Sequence, residues 1–203
     1  MLDLETPFGL ARADVRVSAG SRGAVVLGHG AGGGIGAPDL LAAARAAESE
    51  GFGVVLVEQP YRVAGRRSPA PARQLDGAWV AVVEQLQRDA LAGLPLVVGG
   101  RSSGARVACR TAVATGAVGV LCLAFPLQPP RRTGTAPSRL DELEAVTVPT
   151  LVVQGERDPF GLPPAGPQRT VVRVRGDHSL RTGLDALAAA VGPWLVEVLT
   201  RAA

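Results

Sequence analysis

Two kinds of apolar spacing alternate along the chain. Short, nearly unbroken apolar runs occupy residues 24–27, 53–57, 94–98, 118–125, 149–153 and 170–174. Such runs, bounded by glycine, proline or charge, predict strands covered on both faces, as in a parallel sheet. Helical stretches lie between them. Residues 40–49 are alanine-rich, residues 74–91 carry Leu75, Trp79, Val82, Val83 and Leu86 at helical spacing, and residues 103–115 follow the run 94–98. A last helix, 184–199, is predicted to kink or break at Pro193, whose nitrogen cannot donate. The opening differs: Ala11, Ala13, Val15 and Val17 alternate with Arg12, Asp14 and Arg16, and Pro7-Phe8-Gly9 supplies a turn. A hairpin at a sheet edge is predicted there.

Strand–helix alternation implies an α/β fold, a mostly parallel twisted sheet with right-handed crossovers and helices on both faces. No internal repeat or long linker interrupts it, so residues 1–203 are expected to form one domain. With 47% hydrophobic and 19% charged residues the chain is globular. Asp3 and Glu5 precede Arg12, which is no signal-peptide start. The uncharged run 111–130 could span a bilayer by length, about 20 residues. It reads better as a helix end closed by Gly116, a strand 118–125 and a stop at Pro126. A soluble, cytoplasmic protein with no membrane partner is expected.

Cys109 and Cys122 fall in apolar segments and are expected to be buried free thiols; two cysteines without matching histidines make no zinc site. The net charge is +3, and every basic residue is arginine. Arg62, Arg66, Arg67 and Arg73 cluster, but with only Tyr61 nearby they read as a solvated loop rather than a nucleic-acid groove. Charge therefore names no partner, and the oligomeric state stays open.

Chemistry in an open parallel sheet gathers at the carboxyl ends of strands. Directly after the run 94–98 comes Gly99-Gly100-Arg101-Ser102-Ser103-Gly104, with Gly100 and Gly104 bracketing Ser102 in G-x-S-x-G spacing before a helix. That context strains the serine and presents its oxygen at a helix N-terminus; the plainer alternative is a serine N-cap. After the run 24–27 comes Gly28-His29-Gly30-Ala31-Gly32-Gly33-Gly34. Free N–H groups in such a turn can stabilise an oxyanion, here from Ala31 together with Ser103. Gly28, Gly30 and Gly33 equally satisfy G-x-G-x-x-G, and Glu58 ends the next strand, so a dinucleotide binder competes at this point. A Walker loop is excluded because the chain has no lysine.

The late strands shift the balance. Residues 149–153 run into Gln154-Gly155-Glu156-Arg157-Asp158-Pro159, and the next strand runs into Gly176-Asp177-His178-Ser179. Only His29 and His178 could serve a serine as histidine base, and the chain order Ser102, Asp158, His178 is that of the α/β-hydrolases. The alternatives are a turn aspartate before Pro159 and a surface histidine.

At these residues the chain resembles a small α/β-hydrolase-like family shared by an NSL chromatin-complex subunit and a testis-expressed protein, related to dienelactone hydrolases. The resemblance is carried by Gly28-His29-Gly30-Ala31-Gly32, Gly99-Gly100-Arg101-Ser102-Ser103-Gly104, Ala124-Phe125-Pro126-Leu127, Gln154-Gly155-Glu156-Arg157-Asp158-Pro159-Phe160 and Gly176-Asp177-His178-Ser179. It implies an α/β-hydrolase fold and a serine-hydrolase core. Dienelactone hydrolases carry cysteine where Ser102 stands, so their substrate does not transfer.

The expected chemistry is acyl transfer on a small ester, thioester or related acyl substrate. Ser102 would be nucleophile, His178 base, Asp158 acid, and Ala31 and Ser103 oxyanion donors, with no cofactor or metal. Asp158 is preferred over Glu156 and over Asp177, which adjoins His178. His29 and Arg101 are candidates for substrate contact: His29 is expected mainly to shape its loop, and Arg101 to meet an acidic substrate or pack outward. Two other classes compete, a non-catalytic interaction module that keeps the hydrolase shape and the dinucleotide binder. No lid is expected, because Pro126, Pro129, Pro130 and Pro137 interrupt the segment before Leu140.

Overall fold

The computed structural model describes residues 1–129 and 136–202; Pro130 of the proline-interrupted segment lies outside them. The strands are β1 (Leu2–Thr6), β2 (Gly9–Arg16), β3 (Ala24–Gly28), β4 (Gly53–Glu58), β5 (Leu96–Arg101), β6 (Gly119–Leu123), β7 (Thr150–Gly155) and β8 (Arg169–Val174). The helices are α1 (Pro38–Ser49), α2 (Pro60–Val63), α3 (Ala72–Arg88), α4 (Ser103–Thr111), α5 (Leu140–Glu144) and α6 (Leu184–Ala202).

The eight strands of the described residues join one sheet in the order β1-β2-β4-β3-β5-β6-β7-β8. β1 and β2 form the expected antiparallel hairpin at its edge, and β2 also pairs antiparallel with β4. The strands from β4 to β8 run parallel.

The apolar runs are explained by layers on both faces. Val26, Val55, Val57, Val98, Val120 and Val152 face one core with α3 and α4, where Trp79 is buried. Their neighbours Val25, Leu27, Val54, Leu56, Val97, Leu121 and Val153 face a second core with α1 and α6. Period-two alternation thus sends every second residue to a different apolar layer, leaving no polar face. After β3 the chain turns to β4 on one side, and after β4 it returns to β5 on the other. The carboxyl ends of β3 and β5 therefore form the switch point of the sheet.

Several boundaries differ from the sequence reading. β6 stops at Leu123 because Ala124 takes a left-handed φ of 49°. Helix α4 ends at Thr111, and the rest of the uncharged run, as far as residue 129, divides among turns, β6 and the following loop. No helix among the described residues is long and apolar enough to cross a membrane. At Pro193, where a kink or break was expected, the helix is not broken: α6 runs continuously from Leu184 to Ala202. The bond Pro193 forfeits is offset by burial of Leu187, Val191, Trp194, Leu195 and Val198 along the same helix. The short helices α2 and α5 carry too few residues to show a period.

Candidate active site

Ser102 follows β5 and precedes α4 with φ 51° and ψ −106°. A non-glycine residue held there costs about 1–3 kcal/mol, so the surroundings must over-determine it. They do so in two ways. Ser102 N–H donates to the Leu123 carbonyl at the end of β6, 2.8 Å away. Gly100 and Gly104 pass so close to the end of β3 that a Cβ on either would collide with the Gly28 carbonyl. The bracketing glycines are thus demanded by strand packing. Ser102 Oγ makes no capping bond to α4, which removes the N-cap reading. It lies 2.9 Å from His178 Nε2 instead.

His178 sits between β8 and α6, in a loop with left-handed φ at Gly176 and at Leu180. Its Nδ1 lies 2.8 Å from Asp158 Oδ2. Because the carboxylate only accepts, Nδ1 carries the proton and Nε2 is left to accept from the serine hydroxyl. Phe160 stacks on the imidazole, ring centroids 4.1 Å apart, holding its plane and covering one face.

The two oxygens of Asp158 meet different partners. Oδ1 accepts from Phe160 N–H at 2.8 Å, closing the turn around Pro159. Oδ2 accepts from His178 and from Gln154 Nε2, the latter also at 2.8 Å. Its side chain is wholly buried. Gln154, at the end of β7 and fully buried, also donates to the carbonyls of Phe125 and Gly161, both at 3.0 Å. Sequence reasoning passed over Gln154 and Phe160 although both stand in the quoted loop. A glutamine ending an apolar strand two residues before Glu156 was the available signal. The rival carboxylates face elsewhere: Glu156 is exposed, and Asp177 Oδ1 accepts from Ser179 N–H and Oγ, which holds its carboxyl below the usual range.

The loop after β3 lies across the switch point. Among the described residues, neither Ala31 N–H nor Ser103 N–H is given to another protein group, and Ser103 opens α4 where the first-turn N–H groups lack helical partners. His29 is buried with both nitrogens engaged. Nδ1 donates to the Gly30 carbonyl at 2.8 Å, and Nε2 accepts from Gln59 N–H at 3.1 Å. That pattern requires a neutral ring, and burial pushes its pKa below the ordinary 6.5. Tyr61 Oη donates to the Ala31 carbonyl at 3.0 Å, tying the loop to α2.

Arg101 corrects one of its two expected courses. It does not pack outward: Nη2 donates to the His178 carbonyl at 2.9 Å, and Nε lies 3.1 Å from Asp39 Oδ2. Cys109 and Cys122 are buried free thiols with sulfurs 3.5 Å apart in the α3–α4 layer, away from this constellation.

The segment from the end of β6 to α5, where a lid would be inserted, contains no helix among its described residues. A hydroxyl aligned on an imidazole that is itself held by a buried carboxylate is an arrangement able to add an oxygen nucleophile to a carbonyl.

No curated protein matches the chain at a significant level. Solved structures do. A serine hydrolase without a lid from Xanthomonas campestris superposes with a TM-score of 0.76 at 21% identity, covering 97% of this chain and 93% of that one. Est1E from Butyrivibrio proteoclasticus, a structure with ferulic acid bound, reaches 0.80 at 12% identity over 98% and 100%. A dienelactone hydrolase from Anabaena variabilis reaches 0.77 at 16% identity over 97% and 95%. These likenesses establish the α/β-hydrolase fold. The family signature described as the alpha/beta hydrolase domain matches residues 21–182, and this chain belongs to that family.

Proposed function

We propose that the protein is a serine hydrolase acting on a small ester, thioester or related acyl substrate. The observation carrying this reading is the unbroken relay Asp158 Oδ2, His178, Ser102 Oγ, at 2.8 and 2.9 Å, on a serine held in left-handed backbone. Ser102 Oγ attacks the acyl carbon while its proton passes to His178 Nε2. Asp158 keeps the Nδ1 proton in place and stabilises the imidazolium, without taking the proton itself. Ala31 and Ser103 N–H groups receive the developing oxyanion. The imidazolium then protonates the leaving alcohol or thiol. Water, deprotonated by the same nitrogen, cleaves the acyl-serine.

A site that no helix of the described residues between β6 and α5 covers favours small acyl groups, since each methylene left in water forgoes about 0.8 kcal/mol. The narrower kinship with the family of the NSL chromatin-complex subunit and testis-expressed protein rests on the loops quoted above and is part of the same proposal.

The test is labelling by a fluorophosphonate, followed by turnover of the acetate, butyrate and palmitate esters of one chromogenic alcohol. Stoichiometric labelling lost in Ser102→Ala, with acetate or butyrate preferred in kcat/KM, is the expected result. A folded protein that takes no label would instead be a hydrolase-shaped interaction module, and a preference for palmitate would overturn the small-substrate reading.

A further inference from the structure

We infer that Arg101 is the residue that positions the base: its backbone delivers the nucleophile, and its side chain clamps the His178 loop and the oxyanion loop to it. This rests on the reading of Ser102 and His178 as nucleophile and base.

Arg101 is the last residue of β5, so its main chain runs straight into the strained Ser102. Its guanidinium reaches three other segments at once. Nη2 donates to the carbonyl of His178 itself, 2.9 Å away. Nη1 lies against Gly30 so closely that a Cβ there would stand 2.6 Å from it. Nε faces Asp39 Oδ2 at 3.1 Å, in the first turn of α1. This last contact is an ion pair more than an aligned hydrogen bond, since Oδ2 gains no properly directed N–H among the described residues.

The Asp39 side chain is wholly buried and that of Arg101 is 17% exposed. Desolvation pushes the Asp39 carboxyl upward, opposed by the adjacent guanidinium. A buried carboxylate so placed is tolerable only beside a fixed cation, and a guanidinium supplies one that does not lose its proton. Its planar fork also fixes the directions of its contacts, which a lysine ammonium would not.

The geometry matters because it falls on the main chain of His178 itself, whereas the rest of the loop is held by Thr182 Oγ1 to the Arg175 carbonyl, by Ser179 to Asp177 Oδ1 and by the buried Leu180. Leu180 and Gly176 take left-handed backbone, and the nearby main-chain bonds are Arg157 N–H to the Gly176 carbonyl and Leu180 N–H to the Asp177 carbonyl. Arg101 alone among the described side chains bonds the main chain of His178. Its contact with Gly30 likewise sets the residue before the donor Ala31. One residue therefore registers serine, imidazole and oxyanion donor against each other, and a misplacement of about 1 Å costs on the order of 100-fold. The same contacts engage Nη2 and Nε, two of the atoms that would otherwise be free to meet an acidic substrate.

Arg101→Gln, Arg101→Lys and Asp39→Asn should be compared with the wild type on two esters of one alcohol, a butyrate and a hemisuccinate. Expected for Arg101→Gln is a loss of about 100-fold in kcat, equal for both esters, with KM moved less than about threefold. Arg101→Lys should fall between, and Asp39→Asn should lose about tenfold. In Arg101→Ala, millimolar guanidinium should restore part of kcat where sodium chloride does not.

A loss confined to the hemisuccinate and carried by KM would make Arg101 a substrate contact and overturn the proposal. Wild-type kcat in a folded Arg101→Gln would overturn it too. If the wild type neither labels nor turns over ester, the hydrolase reading fails by itself. Crystal structures of wild type and Arg101→Lys then judge the clamp: a His178 ring displaced from Ser102 supports it, and an unmoved ring refutes it. The Lys variant also serves if Arg101→Gln does not fold.

Discussion

The chain's two histidines occupy loops at the same end of the sheet, and their surroundings divide them completely. His29 is buried, and both its nitrogens are consumed by backbone groups of Gly30 and Gln59. His178 is backed by a carboxylate on one nitrogen and presents the other to a serine hydroxyl. One ring closes a loop, and the other is aligned on a hydroxyl. The lesson is that a histidine becomes a base through what occupies its second nitrogen. A carboxylate leaves the far nitrogen basic and open, whereas a pair of main-chain partners leaves nothing to offer.

The sharpest way to break this contrast is to remove each ring. His178→Ala should lower kcat by about 10⁴-fold or more, as Ser102→Ala should. Loss of labelling in a folded His29→Asn, with His178→Ala still reactive, would reverse the assignment. Next in size, Asp158→Asn should cost about 10⁴-fold in kcat, because the amide can hold the ring in the wrong tautomer. Glu156→Gln and Asp177→Asn should stay within about twofold, as exposed substitutions do; a larger loss from either would move the acid to that residue.

Gln154→Leu sharpens the picture of how His178 is supported. It strips a donor from Asp158 Oδ2 and from the Phe125 and Gly161 carbonyls. The expected cost is about 1–3 kcal/mol of stability, measured by urea unfolding, and a fall in kcat of about tenfold. A stable, fully active variant would show that Asp158 needs no second anchor.

His29→Asn is expected to retain labelling while losing about 1–3 kcal/mol in the same urea assay, since buried main-chain groups lose their partner. Its pH dependence has a definite sign. The unfolded ring takes up a proton near 6.5, while the folded ring resists protonation to lower pH because it is buried. This part of the stability is whole above 6.5 and declines as pH falls through it. Urea midpoints from pH 7.5 down to 5.5 should therefore drop more in the wild type than in His29→Asn; parallel curves would mean that His29 titrates as freely folded as unfolded.

Much of the architecture, and the three residues Ser102, His178 and Asp158 that the structure brings within hydrogen-bond distance, could be named from the sequence, because both depend on local patterns. Apolar runs alternating with helical spacing specify a covered parallel sheet. Ser102 lies between glycines where a strand meets a helix, and Asp158 and His178 stand after successive late strands. Helix continuity at Pro193 was decided otherwise, since one missing hydrogen bond is outweighed by burial that no local window contains.

Only the tertiary structure could assign the supporting cast. Whether Arg101 points outward, or inward to Asp39 and His178, depends on residues 62 and 77 positions away in the chain. The separation of Asp158 into a turn-closing oxygen and a histidine-holding oxygen needs β7 and β8 side by side. Sequence spacing names residue types with the right chemistry. Which atom faces which partner is set by long-range packing, because hydrogen bonds act over about 3 Å while the chain brings those atoms together from distant strands.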